Sequence, residues 1–376
     1  MAGIYIHVPF CKTRCVYCDF YSTTRSELKG RYIRALCREL EMRKDYPGGE
    51  AVETIYFGGG TPSLLEPCDF GQVFDTIRRT YGMEQVREIT LEANPDDLTP
   101  EYLQALSRLP FNRISIGVQT FNDGILRLLR RRHSSRQAVR AVRDARSAGF
   151  DNISIDLIYG LPGETPDDWS HDLSQAIALR AEHVSAYHLT YEAGTPLYYM
   201  LQEKRIKEVD EDRSLLFFSE LTRQLSAAGY ERYEISNFCL PGKRSLHNSS
   251  YWSGAHYLGC GPSAHSFNGE SREWNVSSLD LYIKGIEKGE RNYGMERLDN
   301  PTRYNDLIVT ALRTAWGLSL AQLEKEFGQA YLNHALRNAR KYLDNGELVI
   351  EKDRLRLTPE GVFISDGIMR DLLWTD

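Results

Sequence analysis

Cys11, Cys15 and Cys18 place three of the chain's seven cysteines inside "CKTRCVYC", with three residues and then two between them. Thiolates are soft donors, and a loop that carries three of them favours an iron-sulfur cluster or zinc. A structural zinc ion ordinarily takes four protein ligands, commonly as two separated pairs, and no second cysteine pair follows downstream. His7 is the nearby residue that could complete such a site. A 4Fe-4S cube held by these thiolates alone leaves one iron without a protein ligand. Cys37, Cys68, Cys239 and Cys260 are scattered, and an odd total does not describe a secreted disulfide framework.

Further polar groups follow at intervals. Gly59, Gly60 and Thr61 in "GGGTPS" either let backbone approach a ligand with no Cβ in the way or simply turn the chain. Glu92 in "LEANP" ends an apolar run; buried, it needs a partner, and it can accept hydrogen bonds from a cationic amine or from ribose hydroxyls. Gln119 in "GVQTF", Arg131 in "LRRRH" and Asp156 in "IDLIYG" complete the set, the arginine with a fork that suits a carboxylate. Taken singly, each is equally a surface or core hydrogen-bonding residue. Arg130 and Arg132 are expected at a solvated helix end.

The elements that must position these groups are visible as β-branched and aromatic runs: "IYIHV", "ETIYFGGG", "REITLEANP", "RISIGVQTF", "NISIDLIYGLP" and "HVSAYHLTYEAGT". Between them, segments such as "SELKGRYIRALCRELEMRKDY" and "SSRQAVRAVRDARSAGF" return apolar residues every three or four positions, as amphipathic helices do, and Gly149 stops the second. Alternating strands and helices predict a parallel α/β sheet, either doubly wound or a complete or partial barrel; periodicity does not give strand order. Gly58 to Thr61, Glu92, Gln119 and Asp156 are expected toward the C-terminal ends of their strands, where parallel α/β folds hold ligands. We divide the chain into 1–228, the barrel domain; 229–298, a connecting segment rich in Gly, Ser, Tyr and His; and 299–376, helices with a hairpin that resemble a winged-helix module.

Bulk properties restrict the function classes. With 376 residues, 41% of them apolar, and a net charge of -6, the chain can bury a large core and has no general electrostatic pull toward nucleic acid or anionic membranes. No apolar stretch approaches the roughly 20 residues of a spanning helix, and "GIYIHVPF" lacks a signal-peptide pattern. A cytoplasmic protein that is not an integral membrane protein is expected.

The CxxxCxxC spacing, the aromatic-rich "YCDF" and "GGGTPS" resemble the radical S-adenosylmethionine (SAM) superfamily. The resemblance implies a partial (β/α)6 barrel, a 4Fe-4S cluster on Cys11, Cys15 and Cys18, and SAM chelating the open iron, where an electron cleaves it to a 5'-deoxyadenosyl radical. Within the superfamily, Tyr5, Tyr17, Gly59, Gly60, Thr61, Glu92, Gln119, Arg131 and Asp156 match in order and type the SAM-binding positions of the oxygen-independent coproporphyrinogen III oxidases and their relatives.

That branch has two main members. The oxidases carry a longer N-terminal extension and a further cysteine two residues past the third cluster ligand; here the first strand opens the chain and Phe20 holds that place. CxxxCxxCxF and "HNSSYW", His247 to Trp252, resemble instead the heme chaperones of the HemW type. That resemblance implies heme binding, with His247 as the suspected iron contact, delivery to heme-accepting proteins, an electron donor for the cluster, and no coproporphyrinogen oxidase activity; a homodimer is compatible with it. Whether such a protein is an enzyme in the radical sense is not given by the sequence. An imidazole flanked by Tyr251 and Trp252 suits a porphyrin, but it equally suits a hydrogen-bonded turn with Trp252 in the core, and His256 or His265 could serve instead. The alternatives are a coproporphyrinogen III oxidase and a radical methyltransferase that opens the heme ring.

Overall fold

The computed structural model describes residues 2–375. All six runs form strands: β1 (Ala2–Val8), β2 (Val52–Gly59), β3 (Glu88–Ala93), β4 (Arg113–Gln119), β5 (Ile153–Tyr159) and β6 (His183–His188). They are parallel, and their order in the sheet is their order in the sequence. With right-handed crossovers, sequential order sends every connecting helix to one face. The sheet therefore curls into a partial barrel with helices outside; a doubly wound sheet needs a reversal in strand order.

The helices begin and end where local chemistry dictates. Helix Ser135–Ser147 is capped by a reciprocal Ser134–Gln137 box, and Gly149 at φ +98° turns the chain back toward β5.

Alternation along each strand sorts residues onto two faces. Ile4, Ile6, Ile55, Phe57, Ile114, Ile116, Ile153 and Ile155 join the apolar core that the helices cover. The intervening residues, among them Tyr5, Tyr56, Glu92, Arg113, Ser115 and Asp156, are polar and face the opposite way. The barrel is thus apolar outside and polar within, so its lumen must be satisfied by internal hydrogen bonds or by a ligand.

Residues 229–298 do more than connect. β7 (Glu231–Arg232) and β8 (Asn237–Cys239) continue the sheet antiparallel beyond β6. β9 (Tyr257–Cys260) lies parallel to β1 on the other edge, followed by an antiparallel meander of β10 (His265–Phe267), β11 (Ser271–Asn275) and β12 (Tyr293–Arg297). A twelve-stranded sheet results. Strands this short carry too few periods to be recognised from sequence. Buried Glu39 fastens the meander to the first helix, Lys29–Met42, by accepting from Gly261 N–H (2.8 Å), Asn275 Nδ2 (2.7 Å) and Tyr282 O–H (2.7 Å).

The C-terminal module has a separate core built on Tyr304, Ile308, Leu312, Leu355 and Ile368. Its helices Asn300–Leu312, Leu320–Phe327 and Gln329–Asp344 pack with a three-stranded wing, β13 (Leu318–Ser319), β14 (Leu348–Glu351) and β15 (Arg354–Leu357), before a closing helix Ser365–Leu372. Among the described residues no helix is long and apolar enough to cross a membrane.

Candidate cluster and cofactor site

The three cysteines lie on the loop that leaves the C-terminal end of β1. Backbone bonds pin the loop: Cys11 N–H donates to Thr23 O (2.9 Å), Val16 N–H to Leu129 O (3.3 Å), and Val16 O accepts from Leu197 N–H (2.9 Å). Val16 itself is buried with Ile125, Leu129 and Leu197, which anchors the loop between the helices that follow β4 and β6. All three thiols are free and half-buried. Burial pushes the Cys18 thiol up to about 11 and raises Cys11 as well, so these thiols hold their protons until a cation displaces them. Among the described residues no three His, Cys, Asp or Glu side chains converge on a single-ion site. A mononuclear zinc site needs its ligands about 2 Å from one point; the separate irons of a cubane do not.

A run of hydrogen bonds reaches around two of the thiols, Cys11 and Cys15. Thr61 Oγ1 donates to Cys11 Sγ (3.5 Å) and accepts from Asn94 Nδ2 (3.2 Å); Asn94 Oδ1 accepts from Arg131 Nη2 (2.6 Å); Arg131 Nη1 donates to Cys15 Sγ (3.4 Å). Arg131 also donates to Gly117 O (2.6 Å), yet its Nε is buried without a partner. A guanidinium beside sulfur with a spare N–H fits a carboxylate-bearing ligand at the cluster. Tyr17 adjoins Cys15, Cys18 and Arg131, and burial holds its phenol protonated.

Gly59 and Gly60 are demanded by the chain itself. Gly59 has φ +103°, and a Cβ there would sit 2.6 Å from the His7 ring; at Gly60 it would sit 2.8 Å from the Val8 and Phe10 carbonyl oxygens. The turn accounts for both, and any ligand contact is additional. Gln119 ends β4 at φ +70°, beside an irregularity in the pairing with β5. That strained backbone lays its amide over Gly117, where a Cβ would lie 2.8 Å from Gln119 Nε2 and 3.3 Å from Arg131 Nη2.

Beneath this layer, Glu92 accepts from Tyr56 O–H (2.7 Å) and Gly59 N–H (3.2 Å), and burial, reinforced by Asp156, pushes its carboxyl up to about 7. Tyr5 O–H lies 3.3 Å from His7 Nδ1. Asp156 departs from expectation: it sits in the middle of β5, not at its end, and accepts from Ser115 Oγ at 3.0 Å, one level deeper in the lumen. Sequence reasoning missed Asn94, the link between Thr61 and Arg131, and Arg113, which is 1% exposed with Nε and Nη1 unpartnered. An arginine opening a β-branched strand was the available signal for the latter. Arg132 is only partly solvated: it pairs with Asp96 (2.7 Å) and Asp97 (3.3 Å), and Asp97 accepts from Lys12 (2.7 Å) and Ser63 (2.9 Å), tying the cysteine loop to its neighbours.

His247 is placed differently from the expected iron contact. It is fully buried on helix Leu246–Trp252, level with the strand beginnings at Gly3, Thr54 and Glu88. Nδ1 bonds to Thr54 Oγ1 (2.8 Å), Nε2 to Tyr251 O–H (2.8 Å), and the ring stacks on Tyr56 at 5.1 Å. Burial pushes its pKa down to about 3. With both nitrogens taken it presents no lone pair to an iron; the hydrogen-bonded core reading holds for His247 alone, since the motif is a helix and Trp252 is half-buried at the cleft rather than in the core.

The class defined by this barrel and thiol loop is the radical SAM superfamily: residues 5–176 match the family model "Radical SAM superfamily" and residues 298–364 match "HemN C-terminal domain". "Heme chaperone HemW" of Mycobacterium tuberculosis is 35% identical over 99% of this chain and 94% of its own length; that of Bacillus subtilis is 34% identical over 88% of each. The structure of coproporphyrinogen III oxidase (HemN) from Escherichia coli superposes with a TM-score of 0.84 at 23% identity, over 99% of this chain and 89% of that one, which establishes a shared fold. The chain belongs to the HemW family.

Proposed function

We propose that this protein binds a 4Fe-4S cluster through Cys11, Cys15 and Cys18, holds SAM against it, and carries heme to acceptor proteins in the cytoplasm. The observation that carries the cofactor part is the run through Thr61, Asn94 and Arg131 around two of the thiols. In it, Arg131 would receive the SAM carboxylate, Gly59, Gly60 and Thr61 would lie beside its amine, and Glu92, with Tyr5 and Gln119 near, would accept from ribose or amine. Tyr17 would screen the cluster from water, and Asp156 would support the lumen from below. When bound, the cluster would supply an electron to the sulfonium; heme carriage requires no such step. Family membership supports the heme part, since the relatives bear the name heme chaperone.

The test is anaerobic reconstitution followed by a heme titration and product analysis in one tube. Iron and sulfide uptake, SAM binding and heme recovered intact are expected. Conversion of coproporphyrinogen III to protoporphyrinogen at catalytic rates, or opening of the heme ring on reduction with SAM, would overturn the carrier reading in favour of an enzyme.

A further inference from the structure

Resting on the heme-carrying function above, we propose that heme sits in the cleft between the meander and the C-terminal module, with His265 as its axial iron ligand and Arg303 and Arg354 facing its carboxylates. The cleft measures about 1000 Å³ and is walled by the cysteine loop, by strands β9 to β11 and by the C-terminal helices and wing. That is the upper end of the range for small-molecule and cofactor sites.

The histidines sort themselves by what their nitrogens already do. Of those that line the cleft, His7 is 4% exposed, with Nδ1 near Tyr5 O–H and Nε2 on Tyr21 O (2.9 Å). His265 is exposed and has no side-chain hydrogen bond among the described residues. Its ring is steadied by its cross-strand partner Trp274, centroids 6.1 Å apart and 28° from coplanar. Partial desolvation of the ring and the adjacent Arg272 lower its pKa, which favours the neutral imidazole, the form that ligates a metal. Outside the cleft wall, His256 Nδ1 is held by Glu50 at 3.1 Å, and His247 is sealed in the barrel. The register places His265 opposite Gly259, in the C-terminal half of β9, which runs parallel to β1, and its ring lines the cleft together with Tyr5, His7 and the cysteine loop.

The remaining lining matches a flat apolar disc that carries carboxylates. Phe20 is 60% exposed at the mouth, with Tyr257, Phe267 and Trp316 on the other walls. Arg272 is committed to Asp306. Arg303 lies 5.7 Å over the Phe327 ring and Arg354 donates to Gly317 O (3.3 Å); neither has an acidic partner among the described residues. A metal centre, aromatic faces and an anionic edge are joined in an iron porphyrin. A metal-free tetrapyrrole would use all of these except His265.

The experiment titrates anaerobically reconstituted full-length protein with hemin and, separately, with metal-free protoporphyrin. For His265→Ala we expect a shifted Soret band and at least ~10-fold weaker hemin binding, metal-free protoporphyrin affinity within about 2-fold of wild type, unchanged iron and sulfide content, and a spectrum restored by added imidazole. Arg303→Ala combined with Arg354→Ala is expected to weaken both ligands. An unaltered hemin spectrum and affinity in His265→Ala overturns the site while wild-type uptake leaves the carrier function standing; equal loss for hemin and for the metal-free ring overturns the iron-ligand role. Wild-type protein that takes up no hemin overturns function and site together.

Discussion

At the scale of single residues, Glu92, Thr61 and Asn94 have their polar groups in use, whereas Arg131 has one to spare. Arg131 holds Cys15 and Asn94 and keeps Nε free. Cys15→Ala is expected to abolish the broad iron-sulfur absorbance after anaerobic reconstitution; full iron and sulfide retention would remove Cys15 from the ligand set. Glu92, with its carboxyl near 7, is about half protonated at neutral pH, and donors arriving from a ligand stabilise the charged form. SAM binding at pH 7 should then release up to about half a proton from Glu92, on top of the proton the SAM ammonium gives up on chelating iron, seen as a calorimetric heat that varies with the buffer's ionisation enthalpy. Glu92→Gln should reduce that variation by the Glu92 share and leave the remainder. His247 behaves oppositely to a ligand: its depressed folded pKa means that the unfolded chain binds the proton more readily, so stability falls as pH drops from about 6.5 toward about 3. His247→Ala should cost roughly 2–4 kcal/mol in urea unfolding, from the cavity and the orphaned Thr54 and Tyr251 hydroxyls, and should flatten that acid slope.

Among the elements, the strand ends are where close approach replaces side chains. Gly59→Ala meets both a left-handed φ and the His7 ring, and we expect a loss of about 2 kcal/mol or more, measured by chemical unfolding of the cluster-free protein. The loop after β5 offers a pH test. Glu164 is 1% exposed and accepts from Gly160 N–H (2.7 Å) and Leu161 N–H (3.0 Å), while Oε1 has no partner; burial pushes its carboxyl up to about 8. The folded state therefore holds the proton more tightly than the unfolded state, and stability declines as pH rises from about 4.5 through about 8. Glu164→Gln should abolish this decline in urea midpoints taken between pH 5 and 9. The β-branched runs and the Gly149 helix stop were legible because period and capping are local. The meander was not, since strands such as Asn237–Cys239 owe their existence to a neighbouring edge rather than to their own pattern.

For the whole molecule, two hydrophobic cores meet across the cleft. The joints include the Arg272–Asp306 pair, the Glu234–Thr314 bridge with Ala315 N–H to Tyr233 O (3.0 Å), Arg313 over the Trp252 ring (5.3 Å), the Phe218–Phe363 ring contact, and Val362, which packs into the barrel core. Separate cores joined through such an interface open separately. Hydrogen exchange should show the C-terminal module losing protection as a unit before the barrel, and Arg272→Ala should speed exchange in helix Asn300–Leu312 without changing β1 to β5. Uniform exchange across both parts would mean one cooperative body.

The sequence by itself determined the thiol trio, the parallel α/β class and the polar residues that recur near strand ends, because each is written in spacing or in a short-range period. It did not determine that the six strands follow one another in order, which decides barrel against doubly wound sheet, since strand neighbours are chosen by long-range pairing. Nor did it determine the depth of Asp156 or the fate of the histidines. Whether an imidazole is a ligand or a core residue depends on which atoms lie within 3 Å of its nitrogens, as Thr54 and Tyr251 do for His247 and as no described residue does for His265. Those neighbours come from distant parts of the chain, and only the folded structure brings them together.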